Sequence, residues 1–198
     1  MATFPIHRKM KSGDELELRP PEKDDEQRLI DFFTVVPPED LLFLKEDVTD
    51  PAVIKGWLSD MNHDRVFPLL ALSGDKVVAD GTLHRNTFGW SKHVAEVRVV
   101  VARDWQRKGV SQIVVRELVA RAIDTGVEIL EVNVLEGQHG ALRAFERIGF
   151  KVETVLKNRA TDRTGRKRDV LVMTRDVSEL WRQMEDMITD MEYAPRGH

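Results

Sequence analysis

The chain of 198 residues contains no cysteine. That excludes disulfides, zinc–cysteine sites and a covalent thiol intermediate. It has a single tyrosine, Tyr193 near the C-terminus, so a phenol serving as an internal acid would need the tail to fold back. No apolar run approaches the roughly 18 residues of a membrane span, and the N-terminus lacks a signal-peptide core. A cytoplasmic protein with no membrane partner is the expectation. Lys and Arg number 30 against 34 Asp and Glu, for a net charge of −4, which offers no general attraction to nucleic acid or anionic lipid. The six histidines show no ligand-like spacing with carboxylates, and no metal is expected. Internal repeats and low-complexity linkers are absent too. What remains, 41% hydrophobic and 32% charged, fits one globular domain.

The stretch from Glu96 to Gly126 organises the chain. Val94 to Ala102 is short and rich in β-branched residues, as a strand should be. Val110, Ile113, Val114, Leu118 and Ala122 recur at helical spacing, and Gly126 stands where a helix end needs positive φ. Between them lies a basic turn, Gln106-Arg107-Lys108-Gly109-Val110-Ser111. A strand that passes through such a turn into a helix can hold a diphosphate. The first helical turn leaves N–H groups unpaired, the helix dipole favours an anion, and Gly109 admits close approach. Other phosphate-binding loops do not fit. A dinucleotide fingerprint needs three glycines where only Gly109 is present, and a P-loop needs Gly-Lys where the order is Lys108-Gly109.

Around this unit the periodicities predict an α/β domain with a mixed sheet. Residues 1–13 are polar and aperiodic and read as a loose, flexible end. The domain proper spans 14–176. It starts with a strand at Glu15–Arg19, then a helix from about Lys23 to Val36 and a possible further turn at Glu39–Leu44. A second helix begins at Thr49-Asp50-Pro51. Phe67–Leu72 and Lys76–His84 read as a hairpin around Ser73-Gly74-Asp75, and Asn86–Lys92 as a loop. After Gly126 come a strand at Ile129–Leu135, a helix at Gly137–Ile148, and strands at Lys151–Lys157 and Arg168–Thr174. Residues 177–194 read as an amphipathic helix with Asp176 and Glu179 as a capping box. Its methionine-rich stripe would pack on the domain or on a second copy in a homodimer.

The basic turn resembles the acyl-CoA signature of the GCN5-related N-acetyltransferases, Gln/Arg-x-x-Gly-x-Gly/Ala. Gln106, Gly109 and the Val99/Val101 pair match; Ser111 stands where Gly or Ala is usual. A second motif lies at the family's spacing. The run Gln138-His139-Gly140-Ala141-Leu142-Arg143-Ala144-Phe145-Glu146-Arg147-Ile148-Gly149-Phe150 is similar to Asn-x-x-Ala-x-x-x-Tyr-x-x-x-Gly-Phe. The element order from Leu16 to Asp176 resembles the same family. Asp24–Leu44 is loosely similar to the N-terminal part of the acetyltransferase module of bacterial protein-lysine acetyltransferases.

The resemblance implies a mostly antiparallel central sheet flanked by helices and splayed at the acyl-CoA site, between the strands of Glu96 and Ile129. Acetyl-CoA would be the co-substrate. Backbone N–H groups of Arg107, Lys108, Gly109, Val110 and Ser111 would cradle its diphosphate, and the main chain of Val99 and Val101 would bond its pantetheine arm. Gln106, Gln138 and Phe145 belong to the same cofactor-binding set. An N–H near Val99 would polarise the thioester carbonyl, and Glu96 would be the general base, through water. Alternation puts Glu96, Arg98 and Val100 on one face, and the alternative is that Glu96 is a structural partner of Arg98 or another neighbour. Phe145 occupies the place of the family's proton-donating tyrosine and donates nothing. His84, Arg85, Trp90 and His93 are candidates for the acceptor side.

The expected activity is direct acetyl transfer to a primary amine in a ternary complex, the acceptor being a small molecule, a protein lysine or an N-terminus. A catalytically weak acyl-CoA-binding sensor is the rival, motivated by Phe145 and Ser111. The cluster Arg163, Arg166, Lys167 and Arg168 allows a nucleic-acid reading, but without aromatic platforms and at net −4 a solvated hairpin is simpler.

Overall fold

The structure is a computed structural model that describes residues 3–37, 41, 47–59, 63–162 and 164–183. An eight-stranded sheet forms its backbone, in the order β1-β2-β3-β4-β5-β6-β8-β7. The strands are β1 (Ile6–Lys9), β2 (Glu15–Arg19), β3 (Val66–Ser73), β4 (Lys76–Arg85), β5 (Val94–Val101), β6 (Ile129–Leu135), β7 (Lys151–Thr161) and β8 (Lys167–Asp176). The helices are α1 (Glu26–Val35), α2 (Pro51–Ser59), α3 (Val110–Asp124) and α4 (His139–Ile148). Every neighbouring pair is antiparallel except β5 and β6, which are parallel.

The two faces of the sheet are covered separately. On one, Val110, Val114, Leu118 and Ala122 of α3 and Ile148 of α4 pack on Leu83, Ala95, Val97, Leu130 and Met173. On the other, Leu29, Phe32 and Phe33 of α1 and Ile54 and Leu58 of α2 pack on Leu70, Leu72 and Val100. Alternation along β5 sends successive side chains to opposite faces, so one strand serves both cores. At Gly81 on β4, any Cβ would collide with Val114 and crowd Leu118. Glycine there lets α3 sit directly on the sheet.

Element boundaries follow local chemistry. Asp50 Oδ1 accepts from the Ala52 N–H at 2.9 Å at the head of α2, and Pro51 needs no partner for its nitrogen. Asp176 Oδ1 accepts from the Glu179 N–H at 3.0 Å, opening the helix that follows β8. Val177 and Leu180 of that helix are buried and Trp181 packs against the same core. As far as it is described, this helix packs on its own domain; the rest of the expected 177–194 stripe lies outside the described residues, as does most of Glu39–Leu44.

The N-terminal segment differs from expectation. Within 1–13, read from composition as a loose end, Ile6–Lys9 forms the edge strand β1, paired with Leu18 to Glu15 of β2. Ile6 packs on the first core, and Arg8 donates to the buried Glu117 of α3 at 2.7 Å. Long-range pairing of this kind leaves no periodic signal in a four-residue strand. The β7–β8 hairpin is also longer than its apolar pattern, because irregular register between Leu156 and Ala160 lets pairing resume at Ala160–Arg168 and Thr161–Lys167.

Candidate active site

β5 and β6 stay in register for only three residues, Val94 to Glu96 against Ile129 to Glu131. Beyond Glu96 the strands part, although β5 remains paired with β4 as far as Val101. A gap therefore opens in the middle of the sheet, with Glu96 at its apex. Three bonds fix which main-chain groups face it. The Ala102 N–H donates to Val78 of β4 at 2.9 Å, while the His93 carbonyl accepts from Glu128 and Ile129 on the β6 side at 2.8 and 3.0 Å. Strand alternation then turns the main chain of Val99 and Val101 into the gap. Gln106 Nε2 donates to the Val101 carbonyl at 3.3 Å, tying the turn to this open edge.

The turn between β5 and α3 has unusual backbone geometry. Gly109 is the N-cap of α3 with φ of 90°, in the left-handed region, and no side chain caps the helix start. Arg107 is left-handed as well, at φ 61°, an uncommon state for a residue with a Cβ. Two left-handed residues separated by Lys108, followed by an uncapped helix start, are the kind of backbone that can turn successive N–H groups toward an anion. Gln106, Arg107 and Lys108 are exposed. Lys108 Nζ lies 4.9 Å from the centre of the Trp105 ring, so its charge is steadied beside the turn. On the opposite lip, Gln138 is the N-cap of α4 and its N–H donates to Leu135 at 3.0 Å. Phe145 stands edge-on to Phe150, with ring centres 5.5 Å apart.

At the apex, Glu96 is held by Arg98 through both oxygens: Nε donates at 2.9 Å and the terminal nitrogen at 2.6 Å. Asn133 Nδ2 donates to Glu96 at 3.3 Å and to Glu131 at 3.2 Å. The structural partnership foreseen for Glu96 and Arg98 is thus present. The Glu96 side chain is 23% exposed and Arg98 12%, so the pair lies half-sheltered at the mouth of the gap. His84 stands directly across from Glu96 in the β4–β5 register, with Nε2 2.9 Å from Thr82 Oγ1.

The other acceptor-side candidates do not gather here. Trp90 is 93% exposed on the β4–β5 loop, at the opposite end of β5 from the basic turn. Arg85 points to the far end of α3, donating to the Thr125 carbonyl at 3.5 Å, and the His93 carbonyl closes the start of β6. Glu131 and Asn133 were missed. Their signal is a pair of polar residues two positions apart in the otherwise apolar β6, which puts both on one face, where Asn133 reaches Glu96. The basic hairpin is partly neutralised from within, by Arg168–Asp162 at 2.9 Å and Lys157–Asp169 at 2.7 Å. Among the described residues no cluster of three or more His, Asp or Glu is placed to hold a metal, and no helix is long and apolar enough to cross a membrane.

The model of the acetyltransferase (GNAT) family matches residues 26–150, from α1 to the end of α4. The chain belongs to that family. The matched span contains both lips of the gap. No curated protein matches the sequence. Among solved structures, the GNAT domain of a PAT protein from S. lividans superposes with a TM-score of 0.71 at 18% identity, covering 87% of this chain and 96% of that one. A ribosomal-protein-S5-alanine acetyltransferase from Vibrio fischeri gives 0.72 at 12% identity, over 88% and 98%. A Salmonella typhimurium acetyltransferase solved with its cofactor acetyl-CoA gives 0.68 at 16% identity, over 82% and 94%. At such identities the GNAT fold is what is shared. This GNAT chain is an acetyl-CoA-dependent acetyltransferase by family, with the fold's open, mostly antiparallel sheet.

Proposed function

We propose that this GNAT protein transfers the acetyl group of acetyl-CoA directly to a primary amine within a ternary complex in the cytoplasm. The acceptor is a small-molecule amine, a protein lysine or an N-terminus. The observation that carries this reading is a convergence: the cradle at Arg107 to Ser111 and the carboxylate of Glu96 border one gap, joined by the open edge of β5 at Val99 and Val101.

In this reading the diphosphate rests on the N–H groups of Arg107, Lys108, Gly109, Val110 and Ser111. The pantetheine arm runs along Val99 and Val101 as an added strand would, past Gln106, Gln138 and Phe145. The Val99 N–H polarises the thioester carbonyl. Glu96, through a water, accepts the proton of the ammonium, leaving a free amine to attack. The carbon–nitrogen bond forms as the carbon–sulfur bond breaks, the electron pair leaves on sulfur, and the nitrogen gives up its second proton to solvent. Phe145 donates no proton, so solvent protonates the departing thiolate, which is tolerable for a thiol of pKa about 8.5.

Two observations favour a second reading, a CoA-binding sensor with little turnover: Phe145 at the acid position, and Glu96 already gripped by Arg98. Thiol release from acetyl-CoA over a broad amine panel, beside calorimetric CoA binding, separates the two. Amine-dependent release supports the transferase. Tight CoA binding with release that no amine accelerates supports the sensor.

A further inference from the structure

The last matched pair before β5 and β6 part sets Glu96 directly beside Glu131. Like charges so placed repel. Both point to the face that carries α1 and α2, since Leu130, Val132 and Val134 of β6 belong to the opposite core. One amide spans the two: Asn133 Nδ2 donates to Glu96 at 3.3 Å and to Glu131 at 3.2 Å. Arg98 adds one positive charge and directs two nitrogens at Glu96. Glu96 is therefore well supplied with donors. Glu131 is not: among the described residues Asn133 alone donates to its half-buried carboxylate.

The surroundings of Glu131 bring no cation to it. On β8, Thr174 stands opposite and turns its hydroxyl to Glu153 at 3.2 Å, and Val172 stands opposite Asn133. Lys151 of β7 lies two strands away and is exposed. His84 is on the far side of Glu96, with Nε2 2.9 Å from Thr82 Oγ1. With His84 counted neutral, two carboxylates and one guanidinium leave the apex with one negative charge in excess. That charge sits on Glu131.

We propose that Glu131 determines which amines are accepted: its carboxylate holds the substrate as a protonated aliphatic amine, the chemistry of a lysine side chain, and disfavours weakly basic aromatic amines that arrive uncharged. The fate of the bound cation rests on the transferase reading; the cation site itself does not. An ammonium offers only donors and a carboxylate only acceptors, and a hydrogen bond between two charges in a half-sheltered place is stronger than one to a neutral amine. The bound nitrogen then lies at the same apex as Glu96, which takes its proton through water in the proposed reaction. Acetylation leaves a neutral amide, so the product loses the attraction that held the substrate.

The test compares n-butylamine, an ammonium ion at about pH 7.5 as a lysine is, with n-butanol. The full chain is saturated with CoA, which carries no acetyl group to transfer. NMR follows the Glu131 carboxyl carbon and the Asn133 side-chain amide in wild type, and the Asn133 amide in Glu131→Gln. The expected result is a saturable shift of both signals by the amine, none by the alcohol, and an amine affinity about tenfold or more weaker in Glu131→Gln. An amine that shifts neither signal, or an alcohol that shifts them equally, overturns the proposal on wild-type protein alone, and this comparison decides it if the variant does not fold. Unchanged affinity in a folded Glu131→Gln overturns it too. In steady-state acetylation, Glu131→Gln should raise KM for n-butylamine about tenfold with kcat within about twofold, and narrow the preference for n-butylamine over aniline. Equal losses with both amines would show a structural role and overturn the selection. If no amine is acetylated, the transferase reading falls while the NMR titration still judges the cation site.

Discussion

In the proposed reaction Gly109 and Glu96 divide the work of the gap between backbone and side chain, and the division can be tested by substitution. Gly109 holds φ of 90° at the head of α3. A β-branched residue is strained there and sets a side chain against the incoming phosphates. Gly109→Val should weaken CoA binding by tenfold or more, on the order of 1–3 kcal/mol, as measured by calorimetry; unchanged affinity would place the diphosphate elsewhere. Glu96→Gln keeps the shape and removes the charge. It should lower kcat by about 10²–10⁴, the usual range for a general base, while CoA affinity changes by less than about twofold. Gly109 and Glu96 are legible from the motif and from strand alternation. The left-handed Arg107 is not, because its conformation is imposed by the meeting of strand and helix rather than by its own preference. Nor is the Glu96–Arg98–Asn133 network as a whole, since Asn133 arrives from a strand 37 positions away in the chain.

At the scale of elements, the turn is only as well placed as α3, and α3 is seated by Gly81. Gly81→Ala forces a methyl group into Val114 and Leu118. It should cost about 1–3 kcal/mol by overpacking, read as a lower denaturant midpoint, and weaken CoA binding along with stability. A variant as stable as wild type would show that α3 has room to move. Helices and central strands are legible because each buries a long periodic face: Leu29, Phe33 and Val36, or Val114 and Leu118. The edge strand β1 is not, because one apolar residue followed by three basic ones, Ile6-His7-Arg8-Lys9, looks like a polar tail until β2 is beside it. The parting of β5 from β6 is likewise invisible in either strand alone; it was expected only through the family resemblance.

For the molecule as a whole, two buried carboxyls pull the pH dependence of stability in opposite directions. Burial raises Asp25, but hydrogen bonds from Arg19, the Glu22 N–H and Arg28 outweigh it and hold the group below its ordinary value. Its contribution is present above about pH 4, where the unfolded carboxylate is ionised, and is lost as the pH falls through the folded value. Asp80 is raised, to about 7. The folded state therefore holds its proton more tightly than the unfolded one, and stability declines as the pH rises from about 4 to about 7. Asp80→Asn removes that decline. Its advantage over wild type should grow from near zero at about pH 4 to as much as about 4 kcal/mol at pH 8. A constant difference between the two unfolding curves across pH would mean that Asp80 is solvated.

The central claim is that the start of α3 grips a nucleotide-linked thioester and sets its acyl end beside Glu96. A crystal structure of the wild-type protein with acetyl-CoA tests it most directly. The account predicts the diphosphate against the N–H groups of residues 107 to 111, and the thioester carbonyl within hydrogen-bonding distance of the Val99 N–H. Phosphates bound on any other surface, or an acyl group remote from Glu96, would contradict it.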